Sequence, residues 1–226
     1  MGLSRTARYG HDAFRVERHL SELAPPGVST AVLSMDSTGV PPLFPEEEHV
    51  VRNAGPQRRR EFTVGRHSAR LALRGLGIAP VAVASGPGRC PLWPSGVVGS
   101  ITHAAGYCAA AVAWSGHVPG IGIDLETAED LPDEIVPLVC TTAELSRLKD
   151  LPSGTPSAKI IFSAKESAYK VLYPLTGRFR DFLEAEMTFD PALDSFCFEL
   201  GGTSVHGRYR VAEGCVITIA QAVEAK

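Results

Sequence analysis

No apolar run in this 226-residue chain approaches the roughly 18 residues that a bilayer-spanning helix needs, which argues against a membrane span. The first 18 residues mix arginine, histidine and acids without an apolar stretch, so a secretory signal is not expected. Cysteine is sparse and scattered: Cys90, Cys108, Cys140, Cys197 and Cys215 are odd in number, and no C-x-x-C pair occurs. Neither a disulfide framework nor a zinc site is indicated, and a reduced, cytoplasmic protein is the expectation. Low-complexity tracts and obvious sequence repeats are missing too. A net charge of −3 argues against general nucleic-acid binding. With 44% hydrophobic and 21% charged residues, the chain reads as a soluble globular protein, one large domain or two modest ones.

The charge that is present is unevenly placed. Seven arginines (52, 58, 59, 60, 66, 70 and 74) stand against one acid, Glu61, within residues 52–74. A local basic patch of this kind suits a small polyanion or an acidic partner better than a long duplex. The same stretch, opened by Pro56, reads as a helix, because Phe62, Gly65, Ala69, Ala72, Leu73 and Leu76 recur at three- and four-residue steps. Most of its arginines then shield the core edge by snorkelling. Arg58 and Arg66, one turn either side of Phe62, are the pair placed to grip one anion.

Pro45 followed by three glutamates opens another helix. Residues 86–94, rich in glycine and proline, form a stiff loop. Residues 97–102 and 107–114 are strand candidates, with His103 at the turn between them. A third strand, residues 120–126 (G-I-G-I-D-L-E), ends in Asp124 and Glu126. Alternation puts both carboxylates on one side. Two acids sharing a face suit a cation held between them, although a strand ending in a solvated turn has the same appearance. Short helices follow near residues 131–139 and 141–151. A longer helix over about residues 157–173, closed by Pro174, carries F-S-A-K-E-S-A-Y-K at 162–170. Glu166 and Lys170 are four apart on one face of it, as a surface ion pair would also be. Residues 184–190, 195–200, 205–211 and 215–223 read as antiparallel strands. The order suggests two α+β halves joined near residues 114–119, that is residues 1–115 and 116–226.

Acids that hold Mg²⁺, with lysine, histidine and arginine to neutralise phosphate oxygens, form a kit for breaking a pyrophosphate bond. Magnesium prefers one or two carboxylates plus phosphate and water over a full protein cage. The residues alone lead to a Mg²⁺-dependent phosphoryl-transfer enzyme and do not name its substrate.

The ordered set G-S-I-T-H (99–103), G-I-D-L-E (122–126) and F-S-A-K-E-S-A-Y-K (162–170), with Arg59-Arg60-Glu61-Phe62 leading to Arg66 upstream, resembles the 4′-phosphopantetheinyl transferases. The likeness spans roughly residues 40–190 and is to the large, surfactin/enterobactin-synthase type. It implies two similar α/β halves related by a pseudo-twofold, each a mainly antiparallel sheet with a long helix, and a ligand site at their interface. It also implies transfer of the phosphopantetheine arm of coenzyme A to a serine of an apo acyl or peptidyl carrier protein, releasing adenosine 3′,5′-bisphosphate. Asp124, Glu126 and Glu166 would bind Mg²⁺, with Mn²⁺ the alternative. Glu166 would also be the general base, Lys170 would stabilise the leaving phosphate, and His103 would hold a pyrophosphate oxygen. Lys165 would contact phosphate, Arg58 and Arg66 would take the 3′-phosphate, and Gly88-Arg89 would lie near the adenine. Relatives often carry a lysine a few residues before the Trp-Pro loop, near where this chain has Ser85, which bears on the 3′-phosphate contacts. Leu175, Phe179 and Phe182 are candidates for carrier docking, and a monomer is expected. The rival classes are a non-catalytic coenzyme A or carrier-protein binding module and a Mg²⁺-dependent nucleotide pyrophosphohydrolase.

Overall fold

Proline and glycine set most element boundaries in the computed structural model, which describes residues 11–177, 181–200 and 202–223. Helix α1 (His11–Leu23) stops ahead of Pro25-Pro26-Gly27 and leads into strand β1 (Ser29–Ser34). Helices α2 (Pro45–Val51) and α3 (Pro56–Gly75) each open on proline, where the missing N–H has no intrahelical partner to lose. Strands β2 (Val97–Ala104) and β3 (Tyr107–Trp114) form a hairpin, followed by β4 (Ile121–Thr127). Helices α4 (Val136–Val139), α5 (Thr142–Arg147) and α6 (Ser157–Thr176) come next, then β5 (Thr188–Asp190), β6 (Ser195–Leu200), β7 (Thr203–Ala212) and β8 (Cys215–Val223).

Two expected boundaries move. Helix α6 passes through Pro174 to Thr176, because proline forfeits only its own bond to the preceding turn. Gly177, in the left-handed conformation, then closes the helix with its N–H on the Tyr173 carbonyl at 2.8 Å. The strand expected from residue 184 begins only at Thr188, since residues 182–184 make a short 3₁₀ turn capped by Asp181.

All pairings are antiparallel, in one sheet of order β1-β3-β2 and another of order β4-β8-β7-β6-β5. The sequence of parts repeats. A first strand, a long helix and a hairpin occur as β1–α3–β2–β3 and again as β4–α6–β7–β8. In each case the first strand pairs with the last of the hairpin. This is the expected α+β architecture of two similar halves.

A buried carboxylate is duplicated with it. Glu47, near the start of α2, accepts from the backbone N–H of Phe44 (2.9 Å) and Val83 (2.8 Å) and pairs with Arg70 of α3 (2.8 Å). Glu144, at the same point of α5, accepts from the N–H of Thr141 (2.8 Å) and Met187 (2.8 Å) and pairs with Lys165 of α6 (2.9 Å). The two cations close matching stretches, H-S-A-R at 67–70 and F-S-A-K at 162–165. Each carboxylate satisfies otherwise unpaired N–H groups while fastening a short helix and a loop to the long helix.

His67 is buried beside Arg70, and burial, then the Arg70 charge, push its pKa down to about 4. The folded chain therefore refuses a proton that an unfolded histidine takes up near pH 6.5. Stability from this group is complete above that pH and is lost as pH falls from about 6.5 towards 4. A melting-temperature profile is expected to show this limb, and His67→Gln to flatten it.

Candidate active site at the seam between the sheets

Strand β4 lies unusually close to helix α6. A β-carbon at Gly122 would collide with the Ser167 carbonyl oxygen and come within 3.1 Å of the Lys170 β-carbon. Only glycine permits that approach, and it brings the carboxylates of β4 against one face of α6. That face carries Lys159, Ser163, Glu166 and Lys170, spaced by four, three and four residues. Gly122→Ala is expected to push the strand off the helix and lower turnover strongly, measurable beside an intact far-ultraviolet spectrum.

Asp124 is buried (4% exposed) and saturated with donors. Its Oδ1 accepts from Lys170 Nζ (2.7 Å) and Thr102 Oγ1 (3.0 Å), and its Oδ2 from Ser163 Oγ (2.9 Å). Lys170 also donates to the Ile123 carbonyl at 3.1 Å. Thr102 belongs to β2, so Asp124 and Lys170 tie the edge strands of the two sheets together. Ser100 adds a second tie by accepting from the Ile123 N–H at 3.1 Å. Glu126, two residues along β4, is 3.4 Å from Lys159 Nζ. Glu166 is half-buried and has no hydrogen-bond or ion-pair partner among the described residues. Burial raises the pKa of both Glu126 and Glu166. Asp124 raises both further, and the Lys170 charge works against the rise. Glu126 and Glu166 thus sit in poor solvation beside the charge of Asp124.

His103, expected at the turn, is the last residue but one of β2 and is exposed, with Nε2 3.0 Å from Arg58 Nη1 and 3.4 Å from Glu61 Oε2. Glu166 and Lys170 line a cavity of about 420 Å³ whose other walls include Gly88, Arg89, Trp93 and Tyr173. Gly88 has φ 61°, and a β-carbon there would sit 2.6 Å from Tyr173 Cζ, so the loop closes directly on α6. A larger hollow of about 500 Å³ opens beside Pro25, Pro26 and Arg208 and shares none of these residues.

A profile of the 4′-phosphopantetheinyl transferase N-terminal domain matches residues 46–113, and one of the 4′-phosphopantetheinyl transferase superfamily matches residues 120–220. The 4′-phosphopantetheinyl transferase Npt of Nocardia iowensis is 39% identical over 88% of this chain and 97% of its own length. The chain belongs to the 4′-phosphopantetheinyl transferase superfamily. It is similar also to the 4′-phosphopantetheinyl transferases Svp of Streptomyces mobaraensis (41% identical, over 78% of this chain and 77% of that one) and PptT of Mycobacterium tuberculosis (36%, over 83% and 89%). It is a phosphopantetheinyl transferase of the larger, two-half type.

In this transferase the structure brings Asp124, Glu126, Glu166 and Lys170 together, with the Gly88-Arg89 loop across the cavity from them. Lys165 is not among them. It is 3% exposed, pairs with Glu144 and donates to the Val139 (2.7 Å) and Phe182 (2.8 Å) carbonyls, so it points away from Glu166 into the second half's core. The expected phosphate contact is replaced by a structural one. Arg58 and Arg66 also part company. Arg58 turns to His103 and Glu61, whereas Arg66 is buried, stacks 4.3 Å over the Phe62 ring and donates to Ser85 Oγ at 2.8 Å. Burial lowers its pKa to about 10, and its Nε has no hydrogen-bond partner. The basic patch itself dissolves: Arg59 pairs with Glu48, Arg60 holds the Met35 and Ser37 carbonyls, and Arg70 is buried on Glu47.

The residues that sequence reasoning missed are Thr102, Lys159 and Ser163. The first and last lie inside the quoted motifs, and Lys159 completes the helical face one step outside. Of the docking candidates, Leu175 is exposed and lines the cavity, Phe182 packs on Phe162 at 5.5 Å, and Phe179 lies outside the described residues. No helix among the described residues is long and apolar enough to cross a membrane.

Among the described residues no three His, Cys, Asp or Glu side chains form a ready metal cage. The donor set nevertheless suits a hard divalent cation that arrives with a pyrophosphate. Its members are carboxylate oxygens, Glu166 has no hydrogen-bond or ion-pair partner among the described residues, and such a cation takes its remaining ligands from phosphate and water.

Proposed function

We propose that this transferase moves the 4′-phosphopantetheine arm of coenzyme A onto a serine hydroxyl of an apo acyl or peptidyl carrier protein, with release of adenosine 3′,5′-bisphosphate. The observation that carries the reading is the meeting of Asp124, Glu126, Glu166 and Lys170 across the β4–α6 contact, beside a cavity that Glu166 and Lys170 line. Asp124, Glu126 and Glu166 would hold Mg²⁺ or Mn²⁺, which when bound draws charge from the pyrophosphate oxygens. Glu166, whose pKa is raised by burial, takes the serine proton. The serine oxygen then bonds to the phosphorus bearing the pantetheine arm as the bond to the bridging pyrophosphate oxygen breaks. Lys170, already on the cavity wall, neutralises the departing phosphate.

His103 and Arg58, exposed and adjacent, hold a pyrophosphate oxygen and a substrate phosphate respectively. Arg66, a buried guanidinium with an unpartnered Nε, takes the 3′-phosphate with Ser85 beside it. The Gly88-Arg89 loop faces the adenine. On this reading residues 1–115 supply coenzyme A phosphate contacts and residues 116–226 supply the metal-binding strand and catalytic helix. The enzyme works as a cytoplasmic monomer, a placement to which its five free thiols are suited.

The test is to incubate the protein with Mg²⁺, coenzyme A and an apo carrier, then weigh the carrier. A phosphopantetheine mass gain, with adenosine 3′,5′-bisphosphate released in equal amount, is expected. Pyrophosphate cleavage with an unmodified carrier would instead identify a hydrolase. Binding without reaction would identify a coenzyme A module.

A further inference from the structure

The face of α6 that meets β4 carries two ammonium groups, and each stands on a different carboxylate. Lys170 takes Asp124 at 2.7 Å, and Lys159 takes Glu126 at 3.4 Å. The Lys159 side chain is only 12% exposed, and its Nζ lies 5.9 Å from the centre of the Phe162 ring. Its backbone N–H donates to Asp130 Oδ1 at 3.1 Å, and Asp130 also caps the Leu131 N–H at 3.0 Å. The first turn of α6 is therefore fastened to the loop leaving β4, and the lysine has little freedom to leave Glu126 by moving its backbone.

We propose that Lys159 is a charge-setting, positioning residue of the metal site, its ammonium serving as the counter-ion of Glu126 until a divalent cation arrives with the substrate. The inference rests on the proposed role of Glu126 as a metal ligand. Without a counter-ion, Glu126 would stand half-buried beside the charge of Asp124, two residues away on the same side of β4. Lys159 relieves the repulsion between the two and orients the carboxylate. The same positive charge opposes a second cation on the same oxygens, so the enzyme's demand for metal is set partly by this lysine. The contact is an electrostatic one at the edge of hydrogen-bond range, so it yields readily, and the role asks for a positive charge at this position rather than for one hydrogen-bond geometry.

The experiment measures Mn²⁺ binding directly, from the free-ion electron paramagnetic resonance signal, with coenzyme A present. It compares wild type, Lys159→Met, Lys159→Arg and, as a control, Lys149→Met at an exposed position of the same half. Removing one positive charge about two contacts from a divalent ion is expected to tighten Mn²⁺ on the order of ten-fold in Lys159→Met. Lys159→Arg is expected to restore the wild-type value, and Lys149→Met to leave it unchanged. Thermal unfolding confirms that each variant is folded, and Lys159→Gln replaces the methionine variant if that one is not. Equal or weaker Mn²⁺ binding in folded Lys159→Met overturns the proposal, as does an arginine variant that behaves like methionine. If wild type itself bound no Mn²⁺ in the presence of coenzyme A, the reading of the metal site would fall, and the proposal with it. A wild type that binds with an unchanged Lys159→Met removes the proposal alone.

Discussion

Glu166→Gln is expected to lower kcat for carrier modification by roughly 10²–10⁴-fold, the range that a positioned general base contributes. The substitution keeps the shape of the side chain and removes its ability to take a proton. What separates this residue from a structural acid is its environment. It is half-buried on α6, without a hydrogen-bond or ion-pair partner among the described residues, and burial raises its pKa against the pull of Lys170. An ionised carboxylate with a raised folded-state pKa works against folding at neutral pH. The same variant is therefore expected to melt at a temperature equal to or above that of wild type. Lost turnover with retained or gained stability is the signature of a residue kept for chemistry. Near-normal kcat in Glu166→Gln would remove it from the role of base.

Lys165→Met is expected to have the opposite signature. Its ammonium is buried with Glu144, and two carbonyls complete its donors. Methionine fills the stem's volume and strands a carboxylate that is itself fully buried. Removing one partner of such a pair costs about 3–5 kcal/mol, because the remaining charge has nowhere to go. For a chain of this size that corresponds to a melting temperature lower by about 10 °C. The Glu144 bonds to the Thr141 and Met187 N–H groups soften the loss without cancelling it. Coenzyme A affinity, measured by calorimetry at a temperature where the variant is folded, is expected to stay at the wild-type value. A large loss of affinity with unchanged stability would return Lys165 to the phosphates.

Much of the fold was legible because its signals are local. The apolar stripe from Phe62 to Leu73, the alternation through Asp124 and Glu126, and the turn residues around Gly106 and Gly214 each act within a few positions. The grouping of the β4 acids with Glu166 and Lys170 followed from reading three motifs in order. The rest depends on packing. The partners of Lys165 come from Val139, Glu144 and Phe182, all distant along the chain. Its burial could still have been read from position: Ile161, Ala168 and Leu172 lie one or two turns away on the same face, and all are buried. The arginine patch misled for the converse reason. What each guanidinium meets is decided by what packs against α3, which local sequence does not show: Arg59 finds Glu48, Arg60 the Met35 carbonyl, Arg66 the Ser85 hydroxyl and Arg70 Glu47. The internal repeat is invisible to composition, because the halves share a backbone device around Glu47 and Glu144 while few side chains coincide.

The duplication also shows how one site arises from two similar halves. Where α6 continues past its buried cation with Glu166 and Lys170, α3 continues past Arg70 with Leu71 and Gly75, five positions beyond the cation in each helix at Lys170 and Gly75. The first half lacks the acidic and basic side chains at those positions, and what it brings to the seam is Thr102 on Asp124 and Ser100 on the Ile123 N–H.

If the cation and the pyrophosphate meet on Asp124, Glu126 and Glu166, pulsed electron paramagnetic resonance of Mn²⁺ bound with coenzyme A reads the meeting directly, through coupling of the ion to phosphorus-31. Wild type is expected to show that coupling in a protein-bound Mn²⁺ signal, and Asp124→Asn to lose the bound signal while remaining folded. A bound, phosphorus-coupled signal that survives Asp124→Asn unchanged would contradict the assignment of the metal to this strand.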